Sequence, residues 1–467
     1  MRHDFTVTVP ASDNQHAGVP RQSGAKISRA SRVPGGPFVT ASGPERLTLG
    51  HVTGGEVRGA CVDNAAAAVV FGSHSSGAGP LQDSLVAQQI ARQGAYVLLD
   101  VCLDHERQDA LAYSHRQAGT LADFHVLNGD DPAASHTYNP LLRGTARAAA
   151  ERLFACLHES REASTPACTN DAVAAVSWLA LLIQALRERD EVASCSSLHE
   201  ALTATRAFAS LANAPQLSST TRASLVQWLG EHAALEDGVL DLDRVTAPFA
   251  SMLRMLSNFA TGKLGQVLNA PRPDIDLADI LRSRKGLHVM LPVMGKDRTA
   301  LALGRLITAD IAASLREDTA QPPGITPPAA LVVLLEAPAY CEGELENLFG
   351  AAREAGCSVI ACATEVRHLS VMCEADRNAI LENCQTKVFF RAGARENPEE
   401  LRSFGAALAS MGASPALPDV LARLSTTPPG KGFVVRGTGL TSFEVWPQNE
   451  IHPEIESYEV PQRAKSP

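Results

Sequence analysis

The sequence predicts an α/β protein: a mainly parallel sheet flanked by helices and interrupted by an all-helical insertion. Three observations carry this. Runs such as 65–71 (AAAAVVF), 95–100 (AYVLLD) and 330–335 (ALVVLL) are continuously apolar rather than alternating, as strands covered on both faces are. In the first and last thirds of the chain such runs alternate with helical stretches, which is the syntax of crossover connections. Between about 146 and 270 the strand signal nearly vanishes while helical patches recur.

Taken in order, residues 1–44 are rich in Ser, Pro, Gly and Ala with an excess of Arg and Lys over acids, and read as a disordered, mildly basic tail. Residues 45–145 form the first part of the α/β domain. The strand 65–71 leads into a Gly/Ser loop at 72–79, and Pro80 suits the first position of the following helix, where its missing N–H costs nothing. That helix spans 81–92, followed by a strand at 95–100, a helix at 106–117 and a strand at 124–127. The insertion, 146–270, has helical patches at 146–158, 171–188, 198–211, 220–234 and 245–259. The second α/β part, 271–447, has strands at 287–291, 330–335, 358–363 and 386–391. Helices fall at 297–316, 344–355, 374–383 and 399–407, and a closing hairpin at about 430–447. Residues 448–467 read as a C-terminal tail.

Composition narrows the function classes. The 467 residues suffice for two or three domains, and 45% hydrophobic with 20% charged residues is ordinary for a globular protein. A net charge of −10 argues against a chain-wide basic footprint for DNA, although it leaves a local basic patch open. The ten cysteines form no CxxC pair and have no His at zinc-site spacing, so they read as buried or idle thiols and no metal centre is expected. There is no secretory signal, and the longest apolar run, 172–186, reads as a core helix rather than a membrane span.

The chemistry-bearing candidates lie in two places. A loop that cradles phosphates needs Gly at its ends, a Lys that reaches the β- and γ-phosphates, and a Ser or Thr for Mg²⁺. Here the loop is Gly72, Ser73, His74, Ser75, Ser76, Gly77, Ala78, Gly79. The two glycines have the required spacing, but Ala78 stands at the Lys position and Gly79 at the Ser/Thr position. The same spacing also suits an ordinary strand-to-helix loop. The second place is the end of the strand 330–335, where a hydrolase would carry one carboxylate for the metal and one for the attacking water. Leu335 takes the first position and Glu336 the second, though a single Glu at a strand end is also a common surface residue.

From about 45 to 440 the chain resembles the conjugative coupling proteins of type IV secretion systems, the TraD/TraG class with its DotL/IcmO branch. The stretch FGSHSSGAG (71–79) is similar to that family's FGTTGSGKT, and Asn139-Pro140 to the Asn-Pro before its helical insertion. The family's Asp-Pro-Lys-Gly-Asp turn retains only its outer acids here, Asp100 and Asp104. Residues 275–292 (IDLADILRSRKGLHVMLP), 334–340 (LLEAPAY) and 380–391 (ILENCQTKVFFR) resemble further family segments, the last most closely. A sensing Gln is expected where Ala363 stands.

The resemblance implies a P-loop NTPase-like fold and a cytoplasmic component of a secretion or conjugation apparatus, peripheral at the inner membrane. It implies as partners other secretion components and relaxosome or effector cargo, in a hexamer with itself or with an active paralogue. The departures at 78, 79, 335 and 363 imply a degenerate member that does not hydrolyse ATP, with weak ATP binding left to loop N–H groups and Glu336 as the catalytic remnant. The alternative is an active DNA- or protein-translocating ATPase with an unusual loop.

Overall fold

The computed structural model describes residues 46–52, 60–63, 66–157, 166–190, 192–231, 235–236, 239–241, 246–247, 250–292, 297–317, 330–393, 397–410, 415, 417–437, 439–445, 458 and 460. The tail assigned to 1–44 and most of that assigned to 448–467 lie outside them.

Strands β1 (Arg46–Val52) and β2 (Ala60–Asp63) open the chain. There follow β3 (Ala67–Phe71), α1 (Ala78–Ala91), β4 (Tyr96–Asp100), α2 (His105–Ala118) and β5 (Phe124–Asn128). The helical stretch contains α3 (Ala146–Leu157), α4 (Pro166–Asp190), α5 (Cys195–Thr203), α6 (Thr205–Ala212) and α7 (Ser219–Glu231). A two-residue-per-strand hairpin, β6 (Leu235–Glu236) and β7 (Val239–Leu240), precedes α8 (Ala250–Ala260) and α9 (Gly262–Leu268). Strand and helix then alternate again through α10 (Leu277–Arg282), β8 (Gly286–Met290), α11 (Arg298–Arg316), β9 (Leu331–Leu334), α12 (Leu345–Ala355) and β10 (Ser358–Ala363). The chain closes with α13 (His368–Val371), α14 (Glu374–Asn383), β11 (Cys384–Phe390), α15 (Pro398–Ser410), α16 (Leu417–Arg423) and the hairpin β12 (Lys431–Arg436), β13 (Gly439–Glu444).

One sheet takes in every strand but β6 and β7, in the order β2-β1-β13-β12-β11-β3-β10-β9-β4-β8-β5. From β11 to β5 all neighbours are parallel, and from β11 outward through β12, β13, β1 and β2 all are antiparallel. The seven strands read from sequence on the two sides of the insertion thus interleave in the parallel part. The antiparallel flank contains two strands that the sequence reading omitted, β1 and β2. Leu47 and Leu49 of β1 do alternate as a half-covered strand should, and Gln88 of α1 holds β1 by bonding both the N–H (2.9 Å) and C=O (2.8 Å) of Thr48.

The period-two rule splits each central strand between two cores. Val97 and Leu99, Val332 and Leu334, and Val359 and Ala361 face the side covered by α11, α12, α14 and the inserted helices. Tyr96 and Leu98, Leu331 and Val333, and Ile360 and Cys362 face α1 and α2. The inserted helices share the first of these cores without a break, and their own centre is Trp178, stacked on Trp228 at 4.2 Å and tilted against Phe208 at 5.6 Å.

The chain leaves the sheet after β5 and returns before β8, and the two passages are tied together. The Thr137 carbonyl accepts the N–H of Ile275 (2.9 Å) and the Thr137 N–H and hydroxyl bind Asp274, Tyr138 bridges to Ile275 and donates its N–H to the Val267 carbonyl (2.9 Å), and Arg143 pairs with Asp276. Buried Asn139 caps the turn, taking the N–H of Leu141 (2.9 Å) and donating to the carbonyl of Ala193 (3.0 Å). The segment 380–391 has a packing role: Lys387 donates to the carbonyls of Leu381 (3.2 Å) and Cys384 (2.6 Å), closing the C-terminal end of α14. No helix among the described residues is long and apolar enough to cross a membrane.

His115 of α2 is buried where this second core meets β5. It sits between the Tyr96 hydroxyl (2.9 Å from Nε2) and Thr120 Oγ1 (2.8 Å from Nδ1), stacked on Phe124 at 4.9 Å. Burial pushes its imidazole down to about 4. The neutral form is therefore favoured in the folded chain, and the stability this contributes is full above the unfolded value near 6.5 and is lost as pH falls toward 4. Thermal unfolding between these pH values should show wild type losing roughly 2–3 kcal/mol more than His115→Gln.

Candidate functional site

The loop 72–79 and Glu336 lie at one edge of the sheet. β3 and β9 both run parallel to β10 between them, so their C-terminal ends emerge on the same side. Gly72 donates its N–H to the carbonyl of Ala363 at the end of β10 (3.0 Å), and Glu336 takes a hydrogen bond from Thr364, the next residue. Ligands of open α/β sheets bind beyond the carboxyl ends of the strands, so this edge is where a site belongs.

The loop's backbone is closed on itself. Residues His74–Ser76 make a single tight turn, in which Ser76 N–H and Ser76 Oγ both bond the Ser73 carbonyl at 3.0 and 2.6 Å. The Ser76 carbonyl in turn accepts the N–H of Gly430 (2.9 Å), which fastens the loop beneath the start of β12. Gly72 (φ +150°) and Gly77 (φ +117°) hold backbone conformations that side chains rarely adopt. A Cβ at Gly72 would lie 2.7 Å from Phe390 Cβ, and one at Gly77 3.0 Å from the Gly430 Cα. Helix α1 begins at Ala78, so Pro80 is its third residue rather than its first.

The side chains at the diagnostic positions are apolar or absent. Ala78 is fully buried, Leu335 is 5% exposed, and the two belong to one apolar cluster with Leu81, Val333 and Cys362. Gly79 lies under the exposed ring of His74, whose Nδ1 would be 2.3 Å from a Cβ placed there. Ala363 closes β10 and is buried. Ser73 and Ser75 approach each other at 3.4 Å on the exposed side.

Glu336 is the polar survivor. It adopts left-handed backbone (φ +52°, ψ +42°), which a non-glycine residue holds only where its surroundings enforce it. One carboxylate oxygen takes the Thr364 hydroxyl, and the other lies 3.8 Å from His368 Nδ1. His368 Nε2 is 3.9 Å from Glu365, which also pairs with Arg367. Among the described residues, no group of three or more His, Cys, Asp or Glu is arranged to hold a metal ion.

Sequence reasoning missed the most heavily buried charges at this edge. Arg107 of α2 is 4% exposed and extends its guanidinium under the loop. Its Nε meets Asp83 of α1 at 2.7 Å, its Nη1 meets Asp100 at 3.1 Å, and its Nη2 lies 3.4 Å from both His74 Nδ1 and Gln82 Oε1. His288, fully buried on β8, is 3.4 Å from Asp100. Burial works to raise the Asp100 carboxyl, but the His288 hydrogen bond and the Arg107 charge outweigh it and hold it well below the usual range. Burial likewise opposes the Arg107 charge, and Asp83 and Asp100 overcome it. The two outer acids of the 100–104 turn are thereby accounted for: Asp100 pairs with Arg107, and Asp104 caps α2 by accepting the Arg107 N–H at 2.9 Å. The available signal was the run Gln82-Asp83-Ser84, polar residues in a helix buried nearly all round.

No protein family matches the sequence, and no curated protein matches it. Solved structures do. A bacterial conjugative coupling protein, TrwB, superposes over 82% of this chain and 85% of its own with TM-score 0.57 at 12% identity. The fold is that of TrwB. The TrwB structure holding ADP and Mg²⁺ gives TM-score 0.58 over 85% of this chain and 87% of its own, also at 12% identity. VirB4 of Thermoanaerobacter pseudethanolicus follows at 0.54, 14% identity, over 86% and 96%.

The apolar packing of positions 78 and 335 has a measurable consequence. Leu335→Asp should lower unfolding stability by roughly 3 kcal/mol, because it sets a carboxylate in the cluster around Ala78. Glu336→Gln, part-exposed and keeping an acceptor for Thr364, should change stability by less than about 1 kcal/mol in the same denaturant titration.

Proposed function

We propose that this chain is a coupling-protein-like component of a type IV secretion or conjugation apparatus that does not hydrolyse ATP, and that it acts as a structural or cargo-docking subunit. The observation that carries the reading is the pairing of a TrwB-like fold with buried Ala78 and Leu335 at the positions where such a motor needs its lysine and its metal-ligating carboxylate.

The residues at this edge do not fit Mg-ATP. Phosphoryl transfer depends on positioning and charge neutralisation. Ala78 has no charge to offer the β- and γ-phosphates, Gly79 has no hydroxyl for the metal, and Leu335 has no carboxylate. Even one missing oxyanion donor raises a barrier by about 3 kcal/mol, and here several are missing together. Below the loop, two carboxylates, Asp83 and Asp100, face the single guanidinium of Arg107, so the local charge does not favour a polyphosphate. Glu336 could orient a water, but no neutralised phosphate lies in front of it.

The inserted helices α3 to α9 offer the surface for docking, since they stand outside the sheet and are tied to it by the 137–143 and 274–276 passages. The division into a first α/β part, an inserted helical domain and a second α/β part follows this reading. So do assembly with itself or with an active paralogue and a place at the cytoplasmic side of the membrane.

Purified protein should show no Mg²⁺-dependent ATP hydrolysis above background in a phosphate-release assay. Robust turnover that Glu336→Gln abolishes would instead establish the chain as an active ATPase.

A further inference from the structure

The strongest unexplained feature is the buried Asp83–Arg107–Asp100 cluster. It joins three elements: the helix that opens at the loop, the end of β4, and α2. All three side chains are at most 4% exposed, and the arginine uses separate nitrogens for each carboxylate. A buried cation between two carboxylates stabilises only when its geometry is this complete, because each charge has been taken from water. The remaining nitrogen, Nη2, points to His74 of the loop and Gln82 of α1. His74 continues the chain of contacts outward by covering Gly79. On the opposite side the loop is fastened to Gly430 and packed against Phe390.

We propose that Arg107 is the resident cation of this edge: fixed between Asp83 and Asp100, it holds the 72–79 loop closed in the absence of any nucleotide. The loop's conformation is then set by the chain's own side chains, and the guanidinium is already committed to Asp83 and Asp100. This rests on the reading of the chain as a non-hydrolysing member of the fold, but it concerns what maintains the loop rather than turnover.

Hydrogen–deuterium exchange of the peptide covering 72–81, read beside thermal unfolding of the full chain, tests the proposal. In wild type, millimolar Mg-ATP should leave both the exchange rate and the unfolding midpoint unchanged. Arg107→Met should speed loop exchange by about tenfold or more and lower the midpoint. Arg107→Lys, which keeps the charge but loses the fork, should fall between the two. If Arg107→Met does not fold, Asp83→Asn removes one anchor only and should still speed loop exchange several-fold. Loop exchange unchanged in Asp83→Asn or Arg107→Met would overturn the proposal, whereas slowing of wild-type exchange by Mg-ATP would overturn the non-hydrolysing reading it rests on. ATP turnover by wild type with Arg107-dependent loop protection would sink the non-hydrolysing reading and leave the clamp standing; no turnover with Arg107-independent protection would do the reverse.

Discussion

The parallel pairing of β5 with β8 is the contact on which the rest of the architecture depends. These neighbours are joined through the whole helical insertion, and the closure seats β8 between β4 and β5 before the chain goes on to lay β9 along the other side of β4. Bringing together the ends of a loop on the order of 150 residues costs roughly 5 kcal/mol of chain entropy. The closure is offset locally and globally. Locally, Thr137 with Asp274 and Arg143 with Asp276 join the outgoing and returning passages before the sheet begins. Globally, the inserted helices contribute Trp178, Leu179 and Leu182 to the same apolar core as Val97, Val289 and Val332 of the sheet. A helical insertion that shared no core would leave the passages to carry the closure alone.

That shared core also conveys position. Asp310 of α11 is fully inside the structure, where burial raises its carboxyl, and it pairs with Arg152 of α3 at 3.1 Å and accepts from the Tyr138 hydroxyl at 2.5 Å. One carboxylate thus connects the sheet-covering helix, the first inserted helix and the outgoing passage. Burying it unpaired would cost several kcal/mol, so the three elements are fixed relative to one another by a polar contact as well as by apolar packing.

How much of this was legible in the sequence depended on whether the governing force was local. The buried parallel strands announced themselves as apolar runs because both faces are covered, and their interleaving across the insertion followed from strand–helix syntax. The edge that holds the loop and Glu336 was legible for the same reason, since parallel strands share a C-terminal edge. β1 and β2 were not: they pair with each other locally, but their place in the sheet comes from β13, nearly 400 residues away, and from a side chain of α1. Pro80 was placed two helix positions too early because the loop's closing turn brings the helix start forward to Ala78. Arg107 escaped notice because an arginine in a helix reads as solvated until its partners, 24 and 7 residues away in sequence, are seen to converge on it.

The loop itself separates two kinds of information that a phosphate-binding motif normally joins. Its glycines describe backbone shape. Gly72 and Gly77 are required here by positive φ and by the closeness of Phe390 and Gly430, none of which involves a phosphate. The two positions after Gly77 would describe chemistry, and here they hold a buried methyl group in the same apolar cluster as Leu335 and a glycine beneath His74. Apolar residues at both 78 and 335 are physically coherent, since each is buried in that cluster, where a lone charge would lie among apolar side chains. The glycine spacing therefore locates the loop correctly at the sheet edge while saying nothing of nucleotide, and the charge at that edge is supplied instead by a residue from α2, Arg107, which no spacing rule includes.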